Sequence, residues 1–227
     1  MSNSLCEGLI CMYAKYIKRL LDILLSFMAL VVLSPVFLIL IIVGSIAMKG
    51  NPFFIQKRPG RIDPNTGTER IMNLIKFRSM TNDKDENGVL LPNAVRLNKY
   101  GRIIRSLSVD ELPSLLNILI GDISIVGPRP LTVAYLPYYT AEERRRHEVR
   151  PGLTGLAQCN GRNNLSWEEK FAYDIEYVDH ITFAMDCKII YKTIVSVLHR
   201  EGIGQGEQQP VSLHIERADM VKEEQTV

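Results

Sequence analysis

The chain has 227 residues, which is enough for one domain with a substantial core and too few for two large domains. Its formal net charge is only +2, so composition gives no reason to expect a nucleic-acid-binding protein. The four cysteines form no C-x-x-C pair and the four histidines no H-x-x-x-H pair, which argues against a structural zinc site or a disulfide framework.

The first predicted element is an uncharged, apolar segment from Ile23 to Met48. It is long enough for a membrane helix, and it has neither the short apolar core nor the small-residue cleavage site of a signal peptide. Ser34 and Pro35 lie near its middle, where a proline removes one backbone hydrogen bond and bends a helix. We therefore predict a broken helix that turns at Ser34 and Pro35, with the Ser34 hydroxyl bonded to a carbonyl that the proline leaves free.

The charges on both sides of this segment indicate how it enters a membrane. Lysine and arginine favour the cytoplasmic side, and a straight span can place only one of its ends there. A helix that dips into one leaflet and returns places both ends there, with arms of roughly 18–20 Å that are too short for a bilayer core of about 30 Å. We predict such a re-entrant helix over residues 17–49, with a kinked single span as the alternative. The flanking basic residues are Lys15, Lys18 and Arg19 before the segment, and Lys49, Lys57, Arg58 and Arg61 after it.

The rest of the chain predicts an α+β domain over residues 50–202. "NPFFIQKRPG" and "TERIMNLIKFRSM" indicate strands around the turn "RIDPNTGT", and "NKYGRIIRSL" indicates a basic amphipathic segment. "GDISIVGPRPL" predicts a strand that ends in a Pro-Arg-Pro turn, and a charged helix and a glycine-rich connection follow it. Residues from Trp167 to Tyr177 and from Phe183 to His199 have helical patterns. Residues 1–16 are predicted to be a leader, and residues 203–227 a polar, mobile tail with one short helix.

Two adjacent carboxylates, Asp110 and Glu111, precede an apolar helix in "SVDELPSLLNILIGD". One interpretation is structural, because Asp110 is a good N-cap residue, Ser108 to Glu111 fits the capping-box pattern, and acidic residues suit the helix dipole. Pro113 then falls in the first turn of the helix, where its missing N–H would be unpaired anyway. The other interpretation is that the pair is catalytic, and this stretch alone does not decide between them.

Three arginines point to a phosphorylated substrate. Arg129 lies between Pro128 and Pro130, which restrict it, and a guanidinium can hold a phosphate through two hydrogen bonds. Arg105 and Arg150 lie near the acidic pair or near turns shaped by glycine and proline. A structural salt bridge is the alternative for each arginine taken alone. Together with a carboxylate pair at a helix N-terminus, they indicate phosphate binding and a divalent ion between carboxylate and diphosphate oxygens.

Six motifs occur in order: "KRLLD", the mid-membrane "SP", "LIKFRSM", "SVDELPSLLNILIGDISIVGPRPL", "RPGLTGLAQCNGRNNLSWEEKFAYD" and "YVDH". Through them, the span from Lys18 to about Leu198 resembles the bacterial sugar transferase family, the monotopic phosphoglycosyl transferases. Val109 departs from the more usual leucine or isoleucine before the acidic pair, and the polar tail extends past the family's common end. The resemblance implies a monotopic α+β protein with a re-entrant helix and amphipathic interfacial helices, at the cytoplasmic face of the bacterial inner membrane.

The reaction that the resemblance implies is transfer of a phosphosugar from a nucleotide sugar, usually UDP-linked, to a polyprenol phosphate. UMP is released, and the product starts assembly of a bacterial glycan. Mg²⁺ is the implied cofactor, and Asp110 is the implied nucleophile and metal ligand. Both nucleophiles of such a reaction, an aspartate and a phosphate monoester, are largely ionised at neutral pH. We therefore expect Glu111 to orient metal or donor rather than to act as an obligatory general base.

Further residues match the family's motifs or lie beside them. Lys76, Arg105 and Arg129 are expected to bind phosphate, with Arg105 facing the lipid phosphate. Asp174 is expected at the metal or the donor sugar. A strand-end lysine and a helix-surface aspartate are the alternatives for Lys76 and Asp174. Residues expected to contact the nucleotide are Arg150 and Gln158.

Two other functions remain open at this stage. One is a membrane-surface protein whose basic helices hold anionic lipid or a partner, with Asp110 as a helix cap. The other is a transferase scaffold that has lost activity, against which the intact acidic pair and Arg129 argue. The expected partners are a nucleotide-sugar donor, polyprenol phosphate and anionic headgroups, and no nucleic acid. Self-association and the identity of the sugar stay undetermined.

Overall fold

The N-terminal part of the structure is a broken helix. The computed structural model describes residues 12–161, 165–198 and 212–218, so residues 1–11 of the predicted leader lie outside it. A π-helical turn, Tyr13–Ile17, continues into α1 (Lys18–Val32), and α2 (Ser34–Ala47) follows with a bend of 64°. No single helix in the described ranges is long and apolar enough to cross a membrane, whereas this bent pair passes the same test together by length and composition.

The break lies at the predicted residues. Pro35 has no N–H to donate to the carbonyl four residues earlier, that of Val31. Ser34 Oγ donates to the Val31 carbonyl at 2.8 Å instead. The broken helix and the role of the Ser34 hydroxyl are therefore confirmed, and the return of the chain to the same side of a membrane stays a prediction.

The predicted hairpin is present. β1 (Phe53–Ile62) pairs antiparallel with β2 (Glu69–Phe77), with Ile55 opposite Ile75 and an irregular register between Pro59 and Ile62. β1 runs two residues further than the predicted boundary at Gly60.

The segment around the acidic pair differs from the predicted capped helix. After α3 (Asn93–Arg96) and α4 (Lys99–Ser106), a 3₁₀ turn covers Val109–Glu111, and α5 (Ser114–Ile120) begins only after Pro113. Neither the turn nor α5 has a side-chain cap, so the predicted capping role of Asp110 is wrong. The reason is Pro113, which cannot donate to the Val109 carbonyl; Leu112 N donates to it at 3.2 Å, and the chain winds as a 3₁₀ turn instead.

α5 is bonded to the outer edge of β2 through side chains. Asn117, which is 1% exposed, accepts from Ile75 N at 3.0 Å and donates from Nδ2 to the Asn73 carbonyl at 2.8 Å. Ser114 Oγ donates to the Ile75 carbonyl at 2.8 Å. One apolar cluster fills the space between the hairpin and this helix, so α5 and β2 form one unit. Its buried residues are Met72, Leu74, Leu115, Ile118 and Ile123.

A second, parallel pair of strands follows. β3 (Ser124–Val126) pairs with β4 (Gly152–Thr154), and between them lie a 3₁₀ segment (Val133–Tyr138), α6 (Ala141–Arg144) and a further 3₁₀ turn (Arg145–His147). A Cβ on Gly152 would lie 2.1 Å from the backbone nitrogen of Gly127, so the chains approach here only because glycine has no side chain.

The C-terminal helices complete the α+β fold. They are α7 (Leu156–Cys159), α8 (Trp167–Asp179), α9 (Phe183–Leu198) and α10 (Leu213–Glu216). α10 is the one short helix predicted in the tail, and it is packed against the fold, because Leu213 is 0% exposed in a cluster with Trp167 and Phe171. Arg217 also lies 2.6 Å from Glu143. The other residues of 203–227 lie outside the described ranges, as do residues 162–164 of the glycine-rich motif.

α1 has one polar face that binds the rest of the fold. Asp22 is 3% exposed and accepts from Ile125 N at 2.9 Å. Arg19 donates to the carbonyls of Ile118 and Leu119 at the end of α5. The opposite face exposes large apolar side chains. One face of α1 therefore packs on the rest of the protein, and the other is apolar and exposed. Those side chains include Leu20, Leu24, Phe27, Met28 and Val31.

Candidate active site

The centre of the candidate site is the Glu111 carboxylate. Lys76 Nζ lies 2.6 Å and Arg129 Nη2 3.2 Å from Glu111 Oε1. The Lys76 and Glu111 side chains are 16% and 21% exposed, whereas that of Arg129 is 48% exposed. The structure therefore brings three predicted site residues together, and a second carboxylate, Asp110, precedes Glu111 in the same turn.

Buried contacts hold the elements that carry these side chains. Lys76 precedes the buried Phe77 on β2, and the 3₁₀ turn with Glu111 packs against this strand. The carbonyl of Arg129 accepts a hydrogen bond from Arg146 Nη2 at 2.7 Å. Arg146 in turn lies 2.7 Å from Asp174, with side chains 2% and 4% exposed. A buried ion pair thus fixes the backbone from which Arg129 reaches Glu111.

The two neighbouring carboxylates differ in proton affinity. Burial, together with the negative charge of Glu111, raises the pKa of Asp110 to about 6 against the opposing charges of Lys76 and Arg105. Burial acts in the same direction on Glu111, but Arg129 and Lys76 outweigh it through charge and hydrogen bonds and lower its pKa to about 2. Both groups are ionised at neutral pH, and Asp110 is the more basic of the two.

Arg105 belongs to the same site. It lies in the last turn of α4, and its Nε donates to Ser79 Oγ at 2.8 Å. Its positive charge acts on the Asp110 carboxylate, in the direction that lowers the pKa of that group. Of the predicted phosphate-binding residues, Lys76 and Arg129 therefore contact the acidic pair, and Arg105 acts on Asp110 through its charge.

A small cavity of about 30 Å³ opens beside Glu111. Three cationic side chains and one carboxylate line it together with apolar and glycine residues, which gives the lining an excess of positive charge. Its charged members are Arg58, Lys76, Glu111 and Arg129, and among the others are Leu74, Ser114, Ile123, Pro130 and Leu153.

Arg58 is the charged residue of the cavity lining that is not among the predicted site residues. Its Nη2 donates to Gln56 Oε1 at 2.6 Å. Its Nε is buried and has no hydrogen-bond partner among the described residues. Arg58 pairs with Met72 across the hairpin, and side chains alternate between faces along a strand, so Arg58 shares a face with Leu74 and Lys76. The two predicted strands contain this signal once their register is known.

The remaining predicted residues lie outside the cluster. Asp174 is buried in its pair with Arg146 and acts on the site only through the Arg129 backbone. Arg150 donates to the Gly121 carbonyl at 3.0 Å and lines a different cavity, of about 210 Å³. Gln158 does not line the smaller cavity, and its Nε2 donates at 3.1 Å to the carbonyl of Leu153, which does.

The acidic pair fits a metal ion that takes most of its ligands from substrate and water. Among the described residues there is no group of three or more His, Cys, Asp and Glu side chains that could hold a metal ion. No described side chain donates a hydrogen bond to the Asp110 carboxylate, whereas Glu111 Oε1 is bonded to two cations. Mg²⁺ is usually held by one or two carboxylates together with substrate phosphates. Of the two carboxylates, Asp110 is the one that could take a metal ion, and Mg²⁺ binding stays a prediction.

Comparison with known proteins identifies the family of this arrangement. A family model described as bacterial sugar transferase matches residues 13–200. The chain is 49% identical to an uncharacterized sugar transferase, EpsL, of Bacillus subtilis, over 83% of this chain and 91% of that protein. It is 34% identical to the exopolysaccharide production protein ExoY of Sinorhizobium fredii, over 82% of this chain and 87% of the relative.

A longer relative has a more specific name. The chain is 35% identical to the UDP-glucose:undecaprenyl-phosphate glucose-1-phosphate transferase of Klebsiella pneumoniae, over 78% of this chain. The match spans only 39% of that protein, so the two chains share one region rather than their whole length.

Proposed function

Because the chain belongs to the bacterial sugar transferase family and is a phosphoglycosyl transferase, we propose that it moves a phosphosugar from a UDP-sugar to a polyprenol phosphate. The reaction releases UMP and starts the synthesis of an exopolysaccharide. The observation that carries this proposal is the contrast within the acidic pair: Glu111 holds two cations, and Asp110 stays available as a basic carboxylate beside them.

In the first half-reaction, an Asp110 oxygen attacks the phosphorus that carries the sugar. A bond forms between that oxygen and phosphorus, the bond from phosphorus to the bridging oxygen breaks, and UMP leaves with the bridging oxygen. Asp110 needs no general base, because most of it is ionised at pH 7 with a pKa of about 6. Lys76 and Arg129 reduce the repulsion between the attacking anion and the diphosphate, and they stabilise charge in the transition state.

In the second half-reaction, an oxygen of the polyprenol phosphate attacks the aspartyl phosphosugar. The new phosphorus–oxygen bond gives a polyprenyl diphosphate sugar, and the bond to Asp110 breaks and restores the carboxylate. Arg105, beside Asp110, is the residue proposed to hold the incoming lipid phosphate. Covalent catalysis of this type divides one difficult transfer into two easier steps.

Glu111 has a positioning role in this scheme. Its pKa of about 2 makes it a poor proton acceptor at neutral pH, and its carboxylate holds Lys76 and Arg129 in place. Asp110 is the residue that would hold Mg²⁺, and the ion would supply neutralisation of the diphosphate charge.

The proposed setting is the cytoplasmic face of the bacterial inner membrane. The bent pair of apolar helices supports a re-entrant anchor, and basic residues flank both of its ends. This anchor would hold the site at the depth of the lipid phosphate, so that a lipid acceptor and a water-soluble donor meet there.

The direct test uses the purified chain with a panel of UDP-sugars, Mg²⁺ and a polyprenol phosphate, with UMP as the readout. We expect UMP release with at least one donor and its loss in Asp110→Asn. Trapping a phosphosugar on the wild-type chain but not on this variant would identify the intermediate. Lipid binding without UMP release from any donor would contradict the proposal and favour a membrane-surface interaction protein.

A further inference from the structure

Arg58 has an incomplete set of partners for a half-buried guanidinium. Its Nη2 is bonded to Gln56, but its Nε is buried without a hydrogen-bond partner in the described part of the chain. A buried donor without a partner costs free energy, about 1–3 kcal/mol and more for a charged group. Such a group calls for an explanation, which is a bound water, a bound ion or a role in a site.

The surroundings of Arg58 repel its charge. Burial, with the nearby positive charge of Arg129, lowers the pKa of Arg58, and the Glu111 carboxylate acts in the opposite direction. Arg58, Lys76 and Arg129 line one cavity of about 30 Å³ with a single carboxylate, Glu111. The described side chains that donate to that carboxylate are Lys76 and Arg129, and Arg58 is not one of them. The surplus of positive charge on the lining fits an anionic group.

The chemistry of that anion follows from the arginine. A guanidinium has planar, forked donors that match two phosphate oxygens, and it keeps its charge at any pH where the protein is folded. A diphosphate diester has one negative charge on each phosphate, which complements the surplus on the cavity lining. A single carboxylate ligand would compensate only part of it.

We infer that Arg58 is a donor-binding residue whose guanidinium holds the diphosphate of the nucleotide sugar, together with Lys76 and Arg129. This inference rests on the proposed function, because it assigns a role to one more residue of that site. Gln56 holds one end of the guanidinium, and the N–H groups that Gln56 does not bind are the ones that would donate to phosphate oxygens. Since Arg58 contacts the donor, we expect it to take no part in binding the phosphate of the lipid acceptor.

The test compares Arg58→Gln and Arg58→Lys with Lys57→Gln in the full chain, reconstituted in nanodiscs. Lys57 is exposed on the same strand and points to the opposite face, so its variant loses the same charge without touching the cavity. Kinetics of UMP release give KM for donor and acceptor separately, and titration calorimetry with UDP and with inorganic pyrophosphate measures binding directly.

We expect Arg58→Gln to lower kcat/KM for the donor and the affinity for UDP and pyrophosphate by about tenfold to a hundredfold. KM for polyprenol phosphate should stay the same, Arg58→Lys should recover part of the loss, and Lys57→Gln should behave as wild type. Unchanged pyrophosphate affinity in a folded Arg58→Gln variant would overturn the inference, as would equal losses for donor and acceptor. Absence of UMP release from the wild type would instead contradict the proposed function, and pyrophosphate binding would still test Arg58.

Discussion

Lys76 on β2 and Glu111 in the turn before α5 lie 2.6 Å apart, and this ion pair adds to the charge of Arg129 in making the pKa values of the two adjacent carboxylates unequal. With Arg129, it holds the pKa of Glu111 at about 2, while burial leaves that of Asp110 at about 6. Two consecutive carboxylates thus differ widely in proton affinity, and Asp110 is the more basic one.

Replacing Asp110 with asparagine should abolish UMP release and at the same time stabilise the fold. The raised pKa means that the folded state holds the charged carboxylate less well than the unfolded chain does. The pKa of Asp110 is near 4 in the unfolded chain and about 6 in the folded protein. Between these two pH values, the free energy of unfolding therefore falls as pH rises, by up to ~3 kcal/mol. Thermal unfolding at pH 7.5 without substrate should give a higher Tm for the variant. At pH 4 the two proteins should differ less, and a lower Tm of the variant at both pH values would contradict this account.

The first half-reaction should have an acid limb near pH 6. A single turnover without acceptor isolates the attack of Asp110 from the titration of the lipid phosphate. Below pH 6 its rate should fall by about tenfold for each pH unit, because only the ionised carboxylate attacks. Arg105 opposes the rise in this pKa, so Arg105→Gln should move the limb to higher pH. An acid limb near pH 4 in the rate profile of the wild type would show that burial does not raise the pKa of Asp110.

Glu111→Gln should slow both half-reactions without adding or removing a pH limb. The variant keeps the shape of the side chain but loses the charge that holds Lys76 and Arg129. Single-turnover UMP release and discharge of the trapped intermediate by polyprenol phosphate report the two steps separately. Loss of the second step alone, with a strong new pH dependence, would indicate a general base and contradict the positioning role.

Asp174→Asn should destabilise the fold by about 3–5 kcal/mol, because it leaves the Arg146 guanidinium buried without a counter-charge. Denaturant unfolding measures this change. Asp179→Asn is the matched control on α8, since Asp179 is 39% exposed in its pair with Arg145 and its loss should change stability little. Because Arg146 also holds the Arg129 carbonyl, the donor KM should rise in Asp174→Asn. An unchanged stability would show that the pair is not needed to hold this loop.

Both ends of the broken helix should lie on the cytoplasmic side. Asn3→Cys and Asn51→Cys, each in a chain whose four native cysteines are replaced by serine, place one label before and one after the apolar segment. A membrane-impermeant maleimide should label neither variant in intact spheroplasts and both after permeabilisation. Labelling of only the Asn3→Cys variant in intact spheroplasts would identify a kinked single span.

Local patterns predicted the features that depend on neighbouring residues. The broken helix follows from Pro35, and the hairpin follows from apolar strands around a turn with Asp63 and Gly67. The acidic pair and Arg129 could be selected because their sequence context is unusual. The start of α5 was predicted too early, since Pro113 changes the hydrogen bonding of the preceding turn as well as its own.

Features that depend on residues far apart in the sequence could not be predicted from local patterns. Asp174 resembles a surface residue of α8 until Arg146, 28 positions earlier, is placed beside it. Arg58 becomes a site residue only when the hairpin register places it on the face of Lys76. α10 lies in a segment of polar composition. Its deeply buried side chain, Leu213, packs against Trp167 and Phe171, which lie far from it in the sequence.

The bonds from Asn117 and Ser114 to β2 have a consequence for self-association. A two-stranded sheet is usually marginal in stability, and an open strand edge invites pairing with another chain. Here the side chains of α5 occupy backbone groups of Asn73 and Ile75 that a third strand would use. The helix that follows the turn with Asp110 and Glu111 therefore also closes the hairpin edge, and it blocks pairing between copies of the chain through that strand.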